Sequence, residues 1–497
     1  IFTAYHSILQ LSIFTTMARM KKTIILPQVR IDGLADKGRG VGTAPDGRVV
    51  FVPEVAPGDV VDVLVKKKKS GFYEGIPQHI HTFSPHRDTP FCTHFQYCGG
   101  CKYQHIQYKE QIRQKERTVR DALHRIGKVE VGEFLPILGA EETRYYRNKL
   151  EFSFSNKKWL TPEQLNTGVS NREDVLGFHR AGAFDKIINI SECFLQPEPS
   201  NNLRNTLRKI GKDQGLSFYD ARTHKGFLRN VVLRITTLGQ SMMIMAFGSH
   251  DEPAMQSFFE EVMHEFPNLT SIYSCVNTKV NDFLGDLPMD HVHGSEWVEE
   301  QLGSVRFRIG PKSFFQTNTR QAERLYGRIA EFAELTGNEN VYDLYTGLGS
   351  IALFLANSCR QVVGIEEIER AIDDARVNAQ INQINNAVFY AGDVRDILSA
   401  DFAHRHGAPD LIVTDPPRAG MHPDVIQLLA ELNAPKIVYV SCNPATQARD
   451  LSMLSEHYRV EKVQPVDMFP HTHHIETVAL LIRRGNIPAE GNSHSND

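Results

Sequence analysis

The spacing of apolar and polar residues divides the chain into regions with different patterns. Residues 27–81 contain short alternating runs, for example at 48–52 and 60–65, that are separated by glycines. Such alternation between turn-forming residues is typical of half-buried strands. We therefore predict a small β-barrel in this region.

The last third of the chain alternates strand and helix patterns. Five apolar runs lie at 340–344, 360–365, 387–390, 410–414 and 436–440, with helical spacing between them. Strands that alternate with helices are typical of doubly wound parallel sheets. We expect an α/β, Rossmann-like domain here.

The region between these two has a mixed pattern. A charged, helix-like stretch at 108–126 is followed by strand-like runs at 149–154, 230–236 and 241–247 and by an amphipathic stretch at 253–265. This mixture predicts an α+β central domain.

Length and composition agree with this division. At 497 residues and 41% hydrophobic content, the chain can form two or three domains with separate cores. It holds no uninterrupted apolar run of about 18 residues, so we expect no membrane partner. The predicted segments are a non-native or disordered N-terminus at 1–24, an OB-like barrel at 25–83, a central α+β domain at 84–303, a Rossmann-like domain at 304–485 and a disordered tail at 486–497.

Charge and cysteine content narrow the possible partners. A formal net charge of −4 gives no general attraction to nucleic acid, so RNA binding requires local basic patches. The lysines at 66–69, followed by Phe72 and Tyr73, offer such a patch, although an ordinary solvated lysine face is the alternative. Seven unevenly spaced cysteines favour metal-bound or catalytic thiols in the cytoplasm over a disulfide framework.

Three closely spaced cysteines form the first candidate site. Cys92, Cys98 and Cys101 lie in one short segment, and such spacing is typical of metal ligands. Thiolates bind a zinc ion as well as an iron–sulfur cluster, and the spacing alone does not separate the two.

A second candidate site lies at the ends of the predicted parallel strands. Asp343 ends the first strand, and Gly347 and Gly349 let a ligand approach the backbone where the next helix begins. Glu366 ends the second strand, where an acid can hold ribose hydroxyls, and Asp393 follows the third, near an adenine edge. An acid at 343 suits the ammonium of a methionine group better than a pyrophosphate, which favours S-adenosylmethionine over NAD.

The fourth predicted strand is followed by Asp-Pro-Pro-Arg. Pro416 and Pro417 would fix the turn that presents Asp415 at the carboxyl edge of the sheet. A similar Asp-Pro-Pro before an aromatic residue serves amino-group methyltransferases, and Arg418 in that place weakens the case for amino methylation.

Cys442 follows the fifth predicted strand, and Asn443 and Pro444 are suited to begin a helix. We expect the helix N-terminus to lower the pKa of this thiol. A lone cysteine beside a helix is more often an inert buried thiol, but the presence of Asp415 and Glu476 favours a nucleophile. We therefore predict Cys442, Glu476 and Asp415 as the catalytic residues.

Such a thiol and a carboxylate could together alkylate a pyrimidine. Uracil C5 is a poor nucleophile, and a thiolate that adds to C6 makes C5 enolate-like. A base must then remove the C5 proton, and Glu476, just before the last predicted strand, is the candidate. The histidines at 471, 473 and 474 could form a metal site, but we favour a loop of imidazoles that are solvated or face RNA.

These motifs resemble those of the RNA uridine C5-methyltransferase family over about residues 25–485. Ser-Cys-Asn-Pro-Ala-Thr carries that family's nucleophile, matched by Cys442, and His-x-x-His-x-Glu carries its proton acceptor, matched by Glu476. One departure is Thr346, where relatives often have cysteine. The resemblance also implies a set of cofactor contacts, namely Gln316, Tyr345, Ser350, Glu366, Asp393 and Asp415.

The chain is also similar to a subgroup of that family with an N-terminal TRAM domain, an OB-like RNA-binding barrel. In this subgroup four cysteines hold a [4Fe–4S] cluster, and the resemblance implies Cys92, Cys98, Cys101 and Cys193 as ligands. The subgroup mainly modifies large-subunit ribosomal RNA. The resemblance therefore implies S-adenosylmethionine-dependent methylation of uridine C5 in 23S rRNA, with no obligate protein partner evident.

Two rival hypotheses follow from the same residues. The catalytic motifs do not specify the RNA, so a tRNA uridine C5-methyltransferase is the nearest alternative. A non-catalytic iron–sulfur RNA-binding protein would keep the cofactor fold without methyl transfer. The presence of both Cys442 and Glu476 argues against the second rival.

Overall fold

The computed structural model describes residues 24–485. Contacts divide the chain into two compact units: residues up to Gly33 with Arg39–Pro85, and Leu34–Gly38 with the chain from His86 onward. The predicted terminal segments, 1–24 and 486–497, lie outside the described residues apart from Ile24. No helix within 24–485 is both long and apolar enough to span a membrane.

The first unit is a closed five-stranded barrel with the strand order β1-β2-β3-β5-β4, as the alternating pattern predicted. Its strands are β1 Ile25–Ala35, β2 Arg39–Thr43, β3 Val49–Val52, β4 Val60–Lys68 and β5 Phe72–Thr82. Alternate valines of β3 and β4 fill its interior, since Val50, Val52, Val61 and Val63 are fully buried. Gly75 permits the close β4–β5 contact, because a Cβ there would lie 2.4 Å from the Val63 side chain.

The predicted helix at 108–126 forms in two parts. An α-helix, α1 Tyr108–Asp121, continues into a π-helical turn, Ala122–Gly127. Gly127 lies against the later helix around Ala448, whose carbonyl oxygen would be 2.6 Å from a Cβ at this position. Strand β6, Val131–Phe134, follows.

The central region forms a seven-stranded sheet with the order β13-β12-β11-β10-β7-β8-β9. Its strands and helices are β7 Lys149–Ser155, α2 Pro162–Leu165, β8 Val175–Arg180, β9 Ala183–Asn189, α3 Ser200–Asp213, β10 Leu228–Ile235, β11 Ser241–Phe247, α4 Glu252–Glu265, β12 Ser271–Val276 and β13 Asp290–Gly294. Every residue of β10 and β11 is buried, including the polar residues Arg229, Asn230 and Arg234 of β10. A hairpin, β14 Val298–Leu302 and β15 Val305–Ile309, connects this region to the next.

The C-terminal region is an eight-stranded mixed sheet with the order β18-β17-β16-β19-β20-β22-β21-β6. Its elements are α5 Thr319–Ala333, β16 Asn340–Leu344, α6 Ser350–Ala356, β17 Gln361–Glu366, α7 Glu369–Ile381, β18 Ala387–Ala391, α8 Val394–Ile397, α9 Ala400–His406, β19 Leu411–Thr414, α10 Pro423–Leu432, β20 Lys436–Ser441, α11 Pro444–Leu454, β21 Tyr458–Val466 and β22 Glu476–Arg483. The five predicted parallel strands all form and pair in parallel. The edge strand β6 comes from the segment that the sequence analysis assigned to the central domain.

Candidate active site

The register of the parallel strands gathers the predicted site residues at one edge of the C-terminal sheet. Leu344 of β16 pairs with Ile365 of β17 and with Thr414 of β19, and Thr414 pairs with Tyr439 of β20. Parallel neighbours in register end together, so the residues that follow them lie along the carboxyl edge. The backbone N–H of Asp415 donates to the Leu344 carbonyl at 3.4 Å, which joins two of these strand ends directly.

Glu476 reaches this edge from the opposite direction. Strand β22 is antiparallel to β20, and Ser441 pairs with Thr477. Glu476 is therefore the first residue of β22, rather than a loop residue before it, and it arrives where Cys442 leaves β20. The pairing brings the candidate base to the candidate nucleophile.

The carboxyl group of Glu476 is almost completely enclosed, with 5% of the residue exposed. Burial raises the pKa of Glu476 well above its usual range, the nearby Asp415 carboxylate raises it further, and Arg418 opposes both effects. A carboxylate in such a place, once ionised, accepts a proton more readily than an exposed one.

The thiol of Cys442 does not have the lowered pKa that the sequence predicted. Burial, followed by the charges of Glu476 and Asp415, raises the pKa of Cys442 to about 11. The prediction is wrong because these effects outweigh the helix N-terminus and Arg418, which lowers the pKa. The predicted helix start is confirmed, since α11 begins at Pro444 and the Asn443 side chain accepts from the Ala445 N–H at 3.1 Å.

Arg418 is the cation of this site, although the sequence analysis used it only to argue against amino methylation. Its carbonyl accepts from Asn443 Nδ2 at 3.1 Å and from Thr446 Oγ1 at 3.3 Å, so the Asp-Pro-Pro-Arg turn is tied to the start of α11. The guanidinium acts on both Cys442 and Glu476. The arginine that ends the Asp-Pro-Pro-Arg motif could have indicated from the sequence alone that a cation lies near Asp415.

On the other side of Asp415, Asp343 offers a buried acceptor. Its Oδ2 accepts from Thr346 Oγ1 at 2.5 Å and from the Ala352 N–H at 3.1 Å. Its Oδ1 is buried and has no hydrogen-bond partner among the described residues. Burial raises the pKa of Asp343 to about 7. An unpaired carboxylate oxygen can accept a hydrogen bond from a ligand ammonium group, and the assignment of Asp343 to the cofactor stays a prediction.

The turn after β16 leaves room for a ligand. Gly347 has φ +57°, and a Cβ built there would meet no atom within 4 Å. Its N–H donates to Glu366 Oε2 at 3.1 Å, which joins the ends of β16 and β17. Gly349, at φ +82°, caps α6. Tyr345 lies in the same turn at φ +64°.

Ser350 reveals a residue that the sequence analysis missed. Its hydroxyl is 2.8 Å from the hydroxyl of Tyr326, which α5 inserts into the core. Asp415, Asp343 and Glu476 all contribute to the raised pKa of Tyr326, so this phenol lies among the site's carboxyl groups. No sequence motif marked it.

Two predicted cofactor residues make other contacts in this structure. Asp393 caps α8 and forms an ion pair with Arg395 at 2.5 Å, which lowers the pKa of Asp393. Gln316 lies before α5, where its carbonyl accepts from Asn148 Nδ2 at 2.9 Å. Within residues 24–485, no hydrogen bond joins the Gln316 side chain to the strand ends.

A cavity of about 640 Å³ opens beside Cys442, with Arg418, His473 and His474 in its wall. His471 departs from the expectation of a solvated or RNA-facing ring, because it is 7% exposed and its Nδ1 is 3.1 Å from Gln111 Nε2. The backbone carbonyl of His471 accepts hydrogen bonds from the N–H groups of residues 102 and 103. These contacts fix the segment that directly follows Cys101.

The four predicted metal ligands line a separate cavity of about 360 Å³ in the central region: Cys92, Cys98, Cys101 and Cys193. Burial and the neighbouring thiols raise the pKa of Cys98 to about 11 and of Cys101 to about 12. Within the described chain, no three His, Cys, Asp or Glu side chains are arranged to hold a metal ion. The thiols thus share a cavity without forming a compact single-ion site.

Comparison with known proteins places this geometry in a family. The family model described as tRNA (Uracil-5-)-methyltransferase matches residues 287–484, and the TRAM domain model matches residues 28–77. The curated relatives include proteins named uncharacterized RNA methyltransferase. That of Bacteroides thetaiotaomicron is 48% identical over 452 residues (90% of this chain, 99% of the relative), and that of Porphyromonas gingivalis is 49% identical over 463 residues (92% and 99%).

A solved structure resembles the whole arrangement. The tRNA (uracil-54, C5)-methyltransferase of Pyrococcus abyssi, in complex with S-adenosyl-L-homocysteine, superposes with a TM-score of 0.69 at 29% sequence identity. The match covers 91% of this chain and 100% of the archaeal one.

Proposed function

Since this chain belongs to the RNA uracil-5-methyltransferase family and is an S-adenosylmethionine-dependent enzyme, we propose that it methylates C5 of a uridine in 23S rRNA through a covalent adduct between Cys442 and C6 of the base. The observation that carries the mechanism is the β20–β22 register, which brings Glu476 to Cys442. A non-catalytic RNA-binding protein would not need Glu476 next to Cys442, so this arrangement favours the enzyme over that alternative.

The first step belongs to Cys442. Its Sγ adds to C6 as a thiolate, and the electron pair of the C5–C6 double bond shifts onto C5 and the C4 carbonyl. Because the pKa of the thiol is about 11, the thiol is protonated at rest and must lose its proton to solvent in the cavity before attack, which leaves Glu476 free for the C5 proton. Arg418 favours this ionisation, since its guanidinium stabilises the thiolate.

S-adenosylmethionine would supply, when bound, an electrophilic methyl group: C5 would take the methyl carbon with its electron pair while the bond from that carbon to sulfur breaks and S-adenosylhomocysteine leaves. We assign the ammonium of S-adenosylmethionine to the unpaired oxygen of Asp343 and its ribose to Glu366. The remaining assignments to cofactor binding are Gln316, Tyr345, Gly347, Gly349, Ser350, Asp393 and Asp415.

Glu476 completes the reaction. It takes the proton from C5, the electrons of that C–H bond restore the C5–C6 double bond, and Cys442 Sγ leaves C6 as a thiolate. The proton ends on the Glu476 carboxyl, whose raised pKa suits this role. Attack on C6 from the ring face requires the uridine to leave its stack, and the cavity beside Cys442 has room for it.

We assign the substrate to 23S rRNA because the barrel and the cysteine set resemble the ribosomal-RNA subgroup. A tRNA substrate is the second candidate, since the Pyrococcus abyssi enzyme that matches this fold is a tRNA methyltransferase. We place the reaction in the cytoplasm, in keeping with seven cysteines that are all free thiols.

We further propose that Cys92, Cys98, Cys101 and Cys193 hold a [4Fe–4S] cluster. The support is that all four thiols line one cavity and that four cysteine thiolates are the usual ligands of such a cluster. Burial, and after it the charges of neighbouring thiols, raises the pKa of Cys98 and Cys101, which is also a reason to expect a cationic group. Such a cluster would hold the loop that binds His471 and would take no part in methyl transfer.

The test is transfer of labelled methyl from S-adenosylmethionine to separate 23S rRNA and tRNA transcripts, with anaerobically purified protein and mapping of the product. Label at uridine C5 in 23S rRNA is the expected result. Label found only in tRNA would show that tRNA is the substrate and would leave the proposed mechanism unchanged. No label in either RNA would contradict the proposal.

A further inference from the structure

A second cavity lies on the central sheet, and it shares no lining residue with the cavity beside Cys442. Its volume is about 350 Å³. This lies near the lower end of the range of about 300–1,000 Å³ that ligand sites occupy, so it suits one small ring system.

The floor of this cavity is polar and incompletely paired. Asn230 Nδ2 donates to Ser153 Oγ at 3.1 Å, and that hydroxyl is 3.1 Å from His179 Nε2. Asn230 is 1% exposed, and its Oδ1 has no partner among the described residues. Nδ1 of His179 is also buried and unpaired within residues 24–485. A buried polar atom without a partner costs free energy that a ligand can recover.

Arg229 makes one wall of the cavity rigid. This arginine is 1% exposed, and its Nη1 donates to the carbonyls of Asn277 and Lys279, both at 2.6 Å. Its Nη2 donates to Asp282 Oδ1 at 3.0 Å. The loop that carries Val280 to the rim is therefore fixed before any ligand binds, which favours binding.

The charges in the cavity are already compensated. Asp282 is paired with Arg229, and Asp185 is paired with Arg222 at 2.5 Å. A phosphate would meet these carboxylates, and a cation would compete with the arginines. The cavity therefore suits an uncharged ligand.

The rim is apolar. Phe184 and Val280 line the cavity and are 70% and 76% exposed. A flat ring could stack on Phe184 while its polar edge reaches the His179, Ser153 and Asn230 floor. Unpaired bases in RNA are bound in this way, by stacking on aromatic side chains and hydrogen bonds to their edges.

We propose that this cavity binds one unpaired nucleobase of the substrate RNA, other than the target uridine. The inference rests on the proposed function, since it describes how that RNA is held. It adds a specificity site to the enzyme, because a base at one fixed position in the RNA must be free of pairing to enter the cavity.

Binding of labelled ribonucleotide heptamers to the full-length protein tests this site without relying on methyl transfer. The probes are heptamers of A, C, U and alternating G and U, measured by fluorescence anisotropy. We expect Phe184→Ala to weaken binding of at least one heptamer by about tenfold, and Phe184→Trp to keep it within about twofold of the native protein. The control Leu165→Ala removes another apolar side chain, 66% exposed and outside the cavity, and should change nothing.

Equal affinity of Phe184→Ala and the native protein for all four heptamers overturns the inference. Because Phe184 is largely exposed, loss of the fold is not expected, and a thermal melt of each variant checks this. Binding that depends on Phe184, together with no methyl transfer by the native protein, would contradict the proposed function and still support this inference.

Discussion

Glu476 begins β22 where Cys442 follows β20, and the Glu476 carboxylate raises the pKa of the Cys442 thiol. The two groups therefore titrate together, since each holds its proton more tightly while the other is negative. The proposed reaction uses them in sequence, first the thiolate and then the carboxylate. Arg418 is the neighbouring cation that makes the first ionisation less costly.

Removal of the thiol should abolish turnover. We expect Cys442→Ala to reduce methyl transfer by at least about a thousandfold, because no neighbouring group can add to C6 in its place. The control is Cys359→Ala, which removes a buried thiol whose contacts are backbone carbonyls at 3.6 Å. Full turnover by Cys442→Ala would rule out the covalent mechanism.

The rate should rise with pH. The pKa of Cys442 is about 11, so the thiolate fraction increases about tenfold per pH unit through the neutral range. We expect kcat/KM for RNA to increase from pH 7 to pH 9, and Arg418→Gln to lower it, since that variant loses the cation that stabilises the thiolate. A flat profile over this range, with methyl transfer shown to limit the rate, would contradict the assignment.

Asp415 should limit the stability of the fold as pH rises. Burial, followed by the charge of Asp343, raises the pKa of Asp415 from its usual 3.8 to about 7. Between these values the unfolded chain binds fewer protons than the folded one, so the free energy of unfolding falls as pH increases. An asparagine at position 415 cannot ionise, so the free energy of unfolding would not fall with pH for this reason.

We therefore expect Asp415→Asn to be more stable than the native protein by about 2–4 kcal/mol above pH 7, and about equal to it below pH 4. Urea unfolding at both pH values measures the difference. The same variant should lose methyl transfer. Identical stabilities on the alkaline side would show that Asp415 ionises without penalty.

The cysteine cavity should bind iron. Anaerobically purified protein is expected to contain iron and sulfide and to absorb visible light, and Cys101→Ser should lose both metal and absorbance. Cys275→Ser is the matched control, because Cys275 is buried and does not line the cavity. Purified protein that contains zinc instead of iron would contradict the proposed cluster, although it would still support a metal site.

The predictions from the sequence were most accurate for strands that are buried on both faces. β16 and β11 have the predicted bounds, and every residue of both strands is buried. β6 was not predicted, because its four residues form a strand only through pairing with β21, far along the chain. The π-helical turn after α1 depends in the same way on close contact with Ala448.

Within the site, motifs located residues but did not give their electrostatics. Cys442 and Glu476 were found from their motifs, whereas the raised pKa of Cys442 depends on burial and on charges brought close only by folding. Tyr326 could not be found from the sequence, because its contact with Ser350 joins two helices that no motif connects.

Trapping with RNA that contains 5-fluorouridine tests the central claim most directly. Fluorine at C5 cannot be removed as a proton, so the reaction should stop at the methylated adduct, and Glu476→Gln should accumulate the corresponding adduct on ordinary RNA. Mass spectrometry of the digested complex should place the nucleotide on the peptide that contains Cys442. Methyl transfer without any covalent complex, or a complex on another residue, would contradict the account.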